Sequence, residues 1–218
     1  MATARQFAVI GLGRFGRSVA LTLADMGHEV LGLDAQEEAV HEVGDRLTHV
    51  AQGDATDEEV LKAMGLRNFD VVVVAIGQDI QASILVTLML KELGVKYVVA
   101  KARTEAHGKV LARVGADRVV FPERDMGARV AHNLVSSNVL DQIELSPDHT
   151  IVEIVAGEKF AAKTLRQLDL RARYGVNVMA IRKGDEVIVS PKADESIAEG
   201  DVLVVIGRDT SIRRLEEQ

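Results

Sequence analysis

FAVIGLGRFG, residues 7–16, decides the fold. A short apolar run ends at Ile10, glycines follow at positions 11, 13 and 16, and a helical pattern opens inside the loop. Strand, then G-x-G-x-x-G, then helix is the context in which this motif is informative. Gly11 is placed to make the tight turn, Gly13 to let the backbone approach a diphosphate, and Gly16 to let the helix sit close to the strand. Free N–H groups at the helix start favour an anion. Arg14 stands among these glycines, where a cation opposes the helix dipole. Two readings follow: a nucleotide polyphosphate offsets its charge, or it is a solvated surface arginine.

Asp34 closes the next apolar run, 23 positions after Gly11. A carboxylate there can accept from the ribose hydroxyls of an adenosine and disfavours a 2′-phosphate. Its alternative duty is to cap the following helix. Gly53-Asp54-Ala55-Thr56 follows the third run, near the expected switch point of the sheet, so Asp54 can accept from an adenine amine. Against this, Thr56 with Glu59 three residues on reads as a capping box that needs no ligand.

Further out, β-branched runs alternate with helical patterns as far as residue 121, the signature of βαβ units. The expected strands are 7–10, 29–33, 48–51, 70–75, 97–100 and 118–121, each apolar on successive residues, as when helices cover both faces of a parallel sheet. Phe15, Val19, Leu23 and Met26 on the first helix, and Ile80, Ile84 and Leu88 on the fourth, recur at helical spacing and are expected to dock on the sheet. Pro122 and Glu123 open a further helix carrying Met126, Val130 and Leu134. Beyond residue 138 the pattern turns to β runs at 150–155, 176–181, 186–189 and 202–206, with Lys183-Gly184-Asp185 as a hairpin turn. The expected organisation is therefore a doubly wound six-stranded Rossmann-type domain over residues 1–122, a crossover helix and linker over 123–138, and a small α+β domain over 139–218. So small a domain buries a modest core and gains from pairing with a copy of itself.

Composition sets the outer bounds. The chain has 218 residues, 47% hydrophobic and 27% charged, as an ordinary globular protein has. A net charge of −7 with no clustered basic surface speaks against nucleic acid as a partner. The absence of cysteine removes thiol catalysis, disulfides and thiolate metal sites. No apolar stretch approaches the roughly 20 residues that span a bilayer, and the N-terminus lacks the pattern of a signal peptide. The chain is expected in the cytoplasm, without direct membrane insertion.

Taken in order, GLGRFG, LGLD, GDAT, VVVVAIG followed by QAS, VVAKA and GADRVVFPERDMG resemble the regulators of potassium conductance, and among them the cytosolic subunits of the Ktr and Trk potassium uptake systems. The resemblance covers essentially the whole chain. It implies a non-catalytic sensor peripheral to the inner face of the membrane, whose homodimers assemble into an octameric ring beneath a potassium channel or transporter subunit of the KtrB/TrkH type. It implies ATP or ADP, or NAD(H), as ligand, on Gly11, Gly13, Arg14, Phe15, Gly16, Asp34, Asp54, Ala55, Ile76, Gly77 and Lys101. From position alone Lys101 reads equally as an exposed strand-end lysine. The resemblance also places a divalent cation, Mg²⁺ or Ca²⁺, at Glu123, a residue that equally serves the dipole of its helix. Cyclic di-AMP is implied for the C-terminal domain near Arg171, Asn177 and Pro191.

Two rivals use the same fold. An NAD-dependent dehydrogenase would share the glycine loop and Asp34 and would need an acid–base residue facing the nicotinamide. His149, the one histidine of the C-terminal part, lies in a polar turn and suits solvation better than catalysis. A regulator of another cation transporter or antiporter would share every feature named above.

Overall fold

The computed structural model describes residues 5–135, 139–146 and 148–216. They form two compact units that divide between residues 124 and 125.

The first unit runs β1 (Gln6–Ile10), α1 (Arg14–Asp25), β2 (Glu29–Asp34), α2 (Glu37–His41), β3 (His49–Gln52), α3 (Glu58–Ala63), a 3-10 turn (Leu66–Asn68), β4 (Val71–Val74), α4 (Ile80–Glu92), β5 (Val98–Lys101), α5 (Glu105–Arg113) and β6 (Arg118–Val120). Its six strands are all parallel, in the order β3-β2-β1-β4-β5-β6. The order reverses between β1 and β4, so the carboxyl ends of those strands frame the crevice where open α/β sheets bind ligands. Successive strand residues feed two cores: Ala8, Ile10, Leu33, Val72 and Val74 on one face, Val9, Val30 and Val73 on the other. Burial on both faces is why these runs lack alternation.

The sheet matches the expected doubly wound class, with strand bounds moved by at most one residue. Two helix faces differ from expectation. Phe15, Val19 and Leu23 pack against the sheet, but Met26 lies past the end of α1 and is 67% exposed. In α4 the buried residues are Ser83, Val86, Thr87, Met89 and Leu90, while Ile80 and Leu88 face outward and only Ile84 joins the core. The segment is apolar around most of its circumference, so period alone does not choose a face. Thr87 buries at little cost because its hydroxyl donates to the Ser83 carbonyl at 2.8 Å, whereas the buried Ser83 hydroxyl has no hydrogen-bond partner among the described residues.

Helix α6 (Pro122–Val135) leaves the sheet directly after β6. Met126, Val130 and Leu134 are exposed along it. Residues 136–138 of the expected linker lie outside the described residues.

The second unit holds β7 (Val139–Ser146), β8 (His149–Val155), β9 (Lys163–Thr164), α7 (Leu165–Leu168), α8 (Leu170–Tyr174), β10 (Asn177–Lys183), β11 (Glu186–Val189), β12 (Ser196–Ile197), β13 (Val202–Arg208) and α9 (Asp209–Glu216). Five strands make an antiparallel sheet in the order β11-β10-β13-β8-β7, and β9 pairs β12 separately. Val152, Ile154, Ile181, Leu203 and Val205 meet Ile212 and Leu215 of α9 in its core. The hairpin at Gly184-Asp185 stands as expected, with Gly184 at φ +58° and Lys183 opposite Glu186. Strand β7 was not among the expected runs. Its polar residues, Asp141, Gln142 and Glu144, interrupt the apolar pattern, and pairing with β8 supplies what its sequence does not.

Candidate functional site

Every residue expected at the nucleotide site in the first unit comes from a loop, a strand end or the first turn of α1 on the carboxyl edge of the parallel sheet. The glycine loop is anchored from below: Gly11 N–H donates to the Leu33 carbonyl at 2.8 Å. Gly11 has φ +90°, a conformation that disfavours any side chain. A Cβ on Gly16 would overlap the Gly11 carbonyl, so this glycine sets how closely α1 docks on the loop. Gly13 differs, because a Cβ there meets nothing within 4 Å. It is the N-cap of α1, and no side chain caps the helix or places an acid in its first turn. The first-turn amides are thus left for an anion, beside open space.

Arg14 begins α1 and is exposed. Among the described residues it makes no hydrogen bond or ion pair, although its charge contributes to holding Glu123 ionised.

Asp34 ends β2 and knits the two loops of this edge together. One carboxylate oxygen accepts from Leu12 N–H at 2.6 Å and the other from Gln36 N–H at 2.9 Å. Charge-assisted bonds of this kind are among the stronger ones. The N-cap of α2 is Gln36, so helix capping is not what Asp34 does. Each of its oxygens keeps a second lone pair for a ribose hydroxyl.

At the end of β3, Asp54 accepts both the Thr56 hydroxyl at 2.7 Å and the Thr56 N–H at 2.8 Å through Oδ1. The hydroxyl first, and then the amide, hold this carboxyl below the ordinary carboxylate range. Its second oxygen has no partner among these bonds and suits an amine donor. The capping box expected of Thr56 and Glu59 does not form: α3 starts at Glu58, and Asp57 is the N-cap, accepting from Glu59 N–H at 2.9 Å. Thr56 is already committed to Asp54. A capping box does form at Thr164 and Gln167, ahead of α7. Ala55 is buried in the core beneath the Asp54 loop.

Ile76 and Gly77 follow β4, with Ile76 packed on the core. Lys101, at the end of β5, is 8% exposed, which excludes the exposed strand-end reading. Its ammonium donates to Glu123 Oε1 at 2.6 Å, lies 5.5 Å from the Phe15 ring centroid, and passes close over Gly77, where a Cβ would stand 3.3 Å from Nζ. Glu123 sits in the first turn of α6, and the Lys101 bond is the main cause that lowers its pKa. The pair joins residues 22 apart on different elements, and no sequence spacing announces it.

As a cation site the first unit offers little by itself. No group of three or more His, Asp or Glu side chains among the described residues is placed to hold a metal ion, and Glu123 is a single carboxylate already paired with an ammonium.

In the second unit a separate open cavity of about 410 Å³ is lined by His149, Gly175, Asn177, Ile206, Gly207, Arg208 and Ser211. Of the three residues expected near a cyclic dinucleotide, only Asn177 reaches it; Arg171 on α8 and Pro191 after β11 do not line it. His149 begins β8, with its Nδ1 3.2 Å from the Ser146 hydroxyl. Among the described residues no helix is long and apolar enough to cross a membrane.

The chain is similar to known proteins. A family model described as the TrkA-N domain matches residues 7–122, and one described as the TrkA-C domain matches residues 149–218. The chain is 55% identical to the Ktr system potassium uptake protein C of Bacillus subtilis (strain 168), over 98% of this chain and 97% of that protein. It is 40% identical to the Ktr system potassium uptake protein A of Vibrio alginolyticus, over 93% and 92% of the two chains. Among solved structures, the GsuK RCK domain superposes with a TM-score of 0.69 at 20% identity, over 99% of this chain and 48% of that one. The GsuK channel bound to NAD superposes at 0.67 with 19% identity, over 99% of this chain and 39% of that one. At such identities these structures bear on the fold alone.

Proposed function

Because this chain belongs to the family built from a TrkA-N domain followed by a TrkA-C domain, regulatory and not enzymatic, we propose that it is the adenine-nucleotide-sensing subunit of a potassium uptake system. The similarity to two Ktr system proteins over nearly the full length of both chains supports the transport role. The partner in this reading is a membrane subunit of the KtrB/TrkH type, and the chain works at the cytoplasmic face through it.

One observation carries the nucleotide part: an uncapped helix start beside open space at Gly13, with Arg14, which has no ion pair among the described residues, in its first turn. A cation at that position costs about 0.3–1 kcal/mol against the helix dipole, and a bound polyphosphate would offset it. Asp34 then takes the ribose and Asp54 the adenine amine. Ile76 and Gly77 form the far wall, and Lys101 gives a second cation on the phosphate side. ATP and ADP suit this set directly, and NAD(H) would use the same adenosine half. A divalent cation would find one carboxylate here, so its other ligands would be phosphate, water or a second copy of the chain. For the C-terminal unit, cyclic di-AMP has the support of Asn177 alone.

Gating requires that the two nucleotides stabilise different shapes of the assembled protein, since a ligand that binds both shapes equally shifts nothing. The terminal phosphate, read by Arg14 on the same subunit or on a neighbour in a ring, supplies that difference. Calorimetric titration with ATP and ADP tests it. Arg14→Ala is expected to weaken ATP by roughly ten-fold or more, the loss of a charge-assisted contact of about 1.5 kcal/mol, and to spare ADP more. The same ATP/ADP preference in wild type and variant would overturn the role of Arg14.

A further inference from the structure

Lys101 is a buried ammonium with one acidic partner among the described residues, and that partner is not buried. The Lys101 side chain is 11% exposed and the Glu123 side chain 70% exposed. The ammonium reaches over Gly77 toward Phe15, which follows Arg14 in the first turn of α1. It therefore stands on the phosphate side of the crevice while being bonded to the first turn of α6. A buried cation needs a counter-charge, and Glu123 supplies it.

A nucleotide phosphate changes the balance. It carries more charge than a carboxylate, and it arrives beside an ammonium that water barely reaches. Both anions drawn to one ammonium repel each other across a short gap. Glu123 can leave at little cost, because water already solvates most of it, whereas Lys101 has no solvent to turn to.

We propose that Lys101 is an exchange contact: it holds Glu123 and the start of α6 while the crevice is empty, and passes to the nucleotide phosphate when the crevice fills. Occupancy of the site is thereby reported to the helix that leads out of the first unit. The inference rests on the nucleotide reading above and adds the route by which the ligand is felt beyond its own pocket.

The test uses the full chain in EDTA, so that no divalent cation contributes, with ADP as ligand. Wild type, Glu123→Gln, Lys101→Met and the double variant are titrated by calorimetry. Releasing Lys101 from its competitor should tighten ADP about five-fold in Glu123→Gln, the scale of a partly exposed ion pair. In the Lys101→Met background the same change should have no effect, because the acid acts through that ammonium. Deuterium exchange gives an independent readout: ADP should raise uptake in the α6 peptide that begins at Pro122 in wild type and leave it unchanged in Glu123→Gln.

Equal ADP affinity in wild type and Glu123→Gln overturns the exchange. So does equal tightening with and without Lys101, which would reduce Glu123 to a general repulsive charge. Either result leaves the nucleotide site standing. If ADP binds none of the four proteins, the site and the exchange fall together.

Discussion

At the scale of single residues, the polar groups of the first unit differ in how much of their hydrogen-bonding capacity the fold uses. Asp34 and Asp54 use some lone pairs on main-chain amides and keep others. His107 lies on α5. It is 3% exposed, its Nδ1 accepts from Arg103 N–H at 3.3 Å, and its Nε2 has no partner among the described residues. Burial first, and then the charge of Arg103, push its pKa below the ordinary imidazole range. A base held neutral in the fold is protonated more readily in the unfolded chain. Its contribution to stability is therefore fully present above about pH 6.5 and is lost progressively as the pH falls below that value. Thermal unfolding between pH 8 and pH 5.5 should show the loss. His107→Asn keeps an acceptor near the Nδ1 position without the titration, and its melting temperature should depend less steeply on pH over that window. Parallel profiles for the two proteins would exclude His107 as the source.

At the scale of elements, the junction between β1 and α1 separates two uses of glycine that the motif writes identically. A methyl on Gly16 would strike the Gly11 carbonyl and force α1 away from the loop. Gly16→Ala should therefore cost about 3 kcal/mol, the upper part of the usual overpacking range, and lower the urea midpoint of the first unit. A methyl on Gly13 enters open space, so Gly13→Ala should fold with its urea midpoint unchanged. It should nevertheless lose nucleotide affinity, because the methyl occupies the gap through which a diphosphate reaches the first-turn amides. Unfolding curves and ADP titrations on the same two variants separate the roles. Loss of stability in both, or in neither, would contradict this division.

At the scale of the whole molecule, the outward face of α4 carries Leu85 and Leu88, 41% and 37% exposed, beside the buried stripe that docks on the sheet. Two apolar stripes on one helix suit a subunit that packs against its own copies. In the proposed ring, light scattering should give a mass that is a multiple of 23.6 kDa, up to eight-fold. Leu85→Asp with Leu88→Asp should reduce that mass at least two-fold while the melting temperature of the chain stays within a few degrees. A monomeric wild-type protein is incompatible with the ring. An unchanged mass in the double variant would move the contact to another surface, for which the exposed Met126, Val130 and Leu134 of α6 are the next residues to test.

Much of the candidate site was legible in the sequence because its parts are local. The glycine turn, Arg14 beside it, and Asp34 at the end of the next strand are fixed by a strand-loop-helix order that a short stretch of chain dictates. The doubly wound sheet was legible too, since strands buried on both faces must be apolar throughout. What stayed hidden depends on residues distant in the chain or on pairing. α4 has apolar residues on both sides, and only the sheet decides which stripe it buries. β7 takes its strand form from β8, and Thr56 serves Asp54 because Asp57 was free to cap α3. Nothing in the spacing of Lys101 and Glu123 brings them to 2.6 Å. The sequence by itself determined the parallel sheet and the glycine turn at its carboxyl edge. Only the tertiary structure decided that the buried lysine beside that turn is neutralised by the first turn of α6, because a charge taken out of water pairs with whatever the packed chain brings within reach.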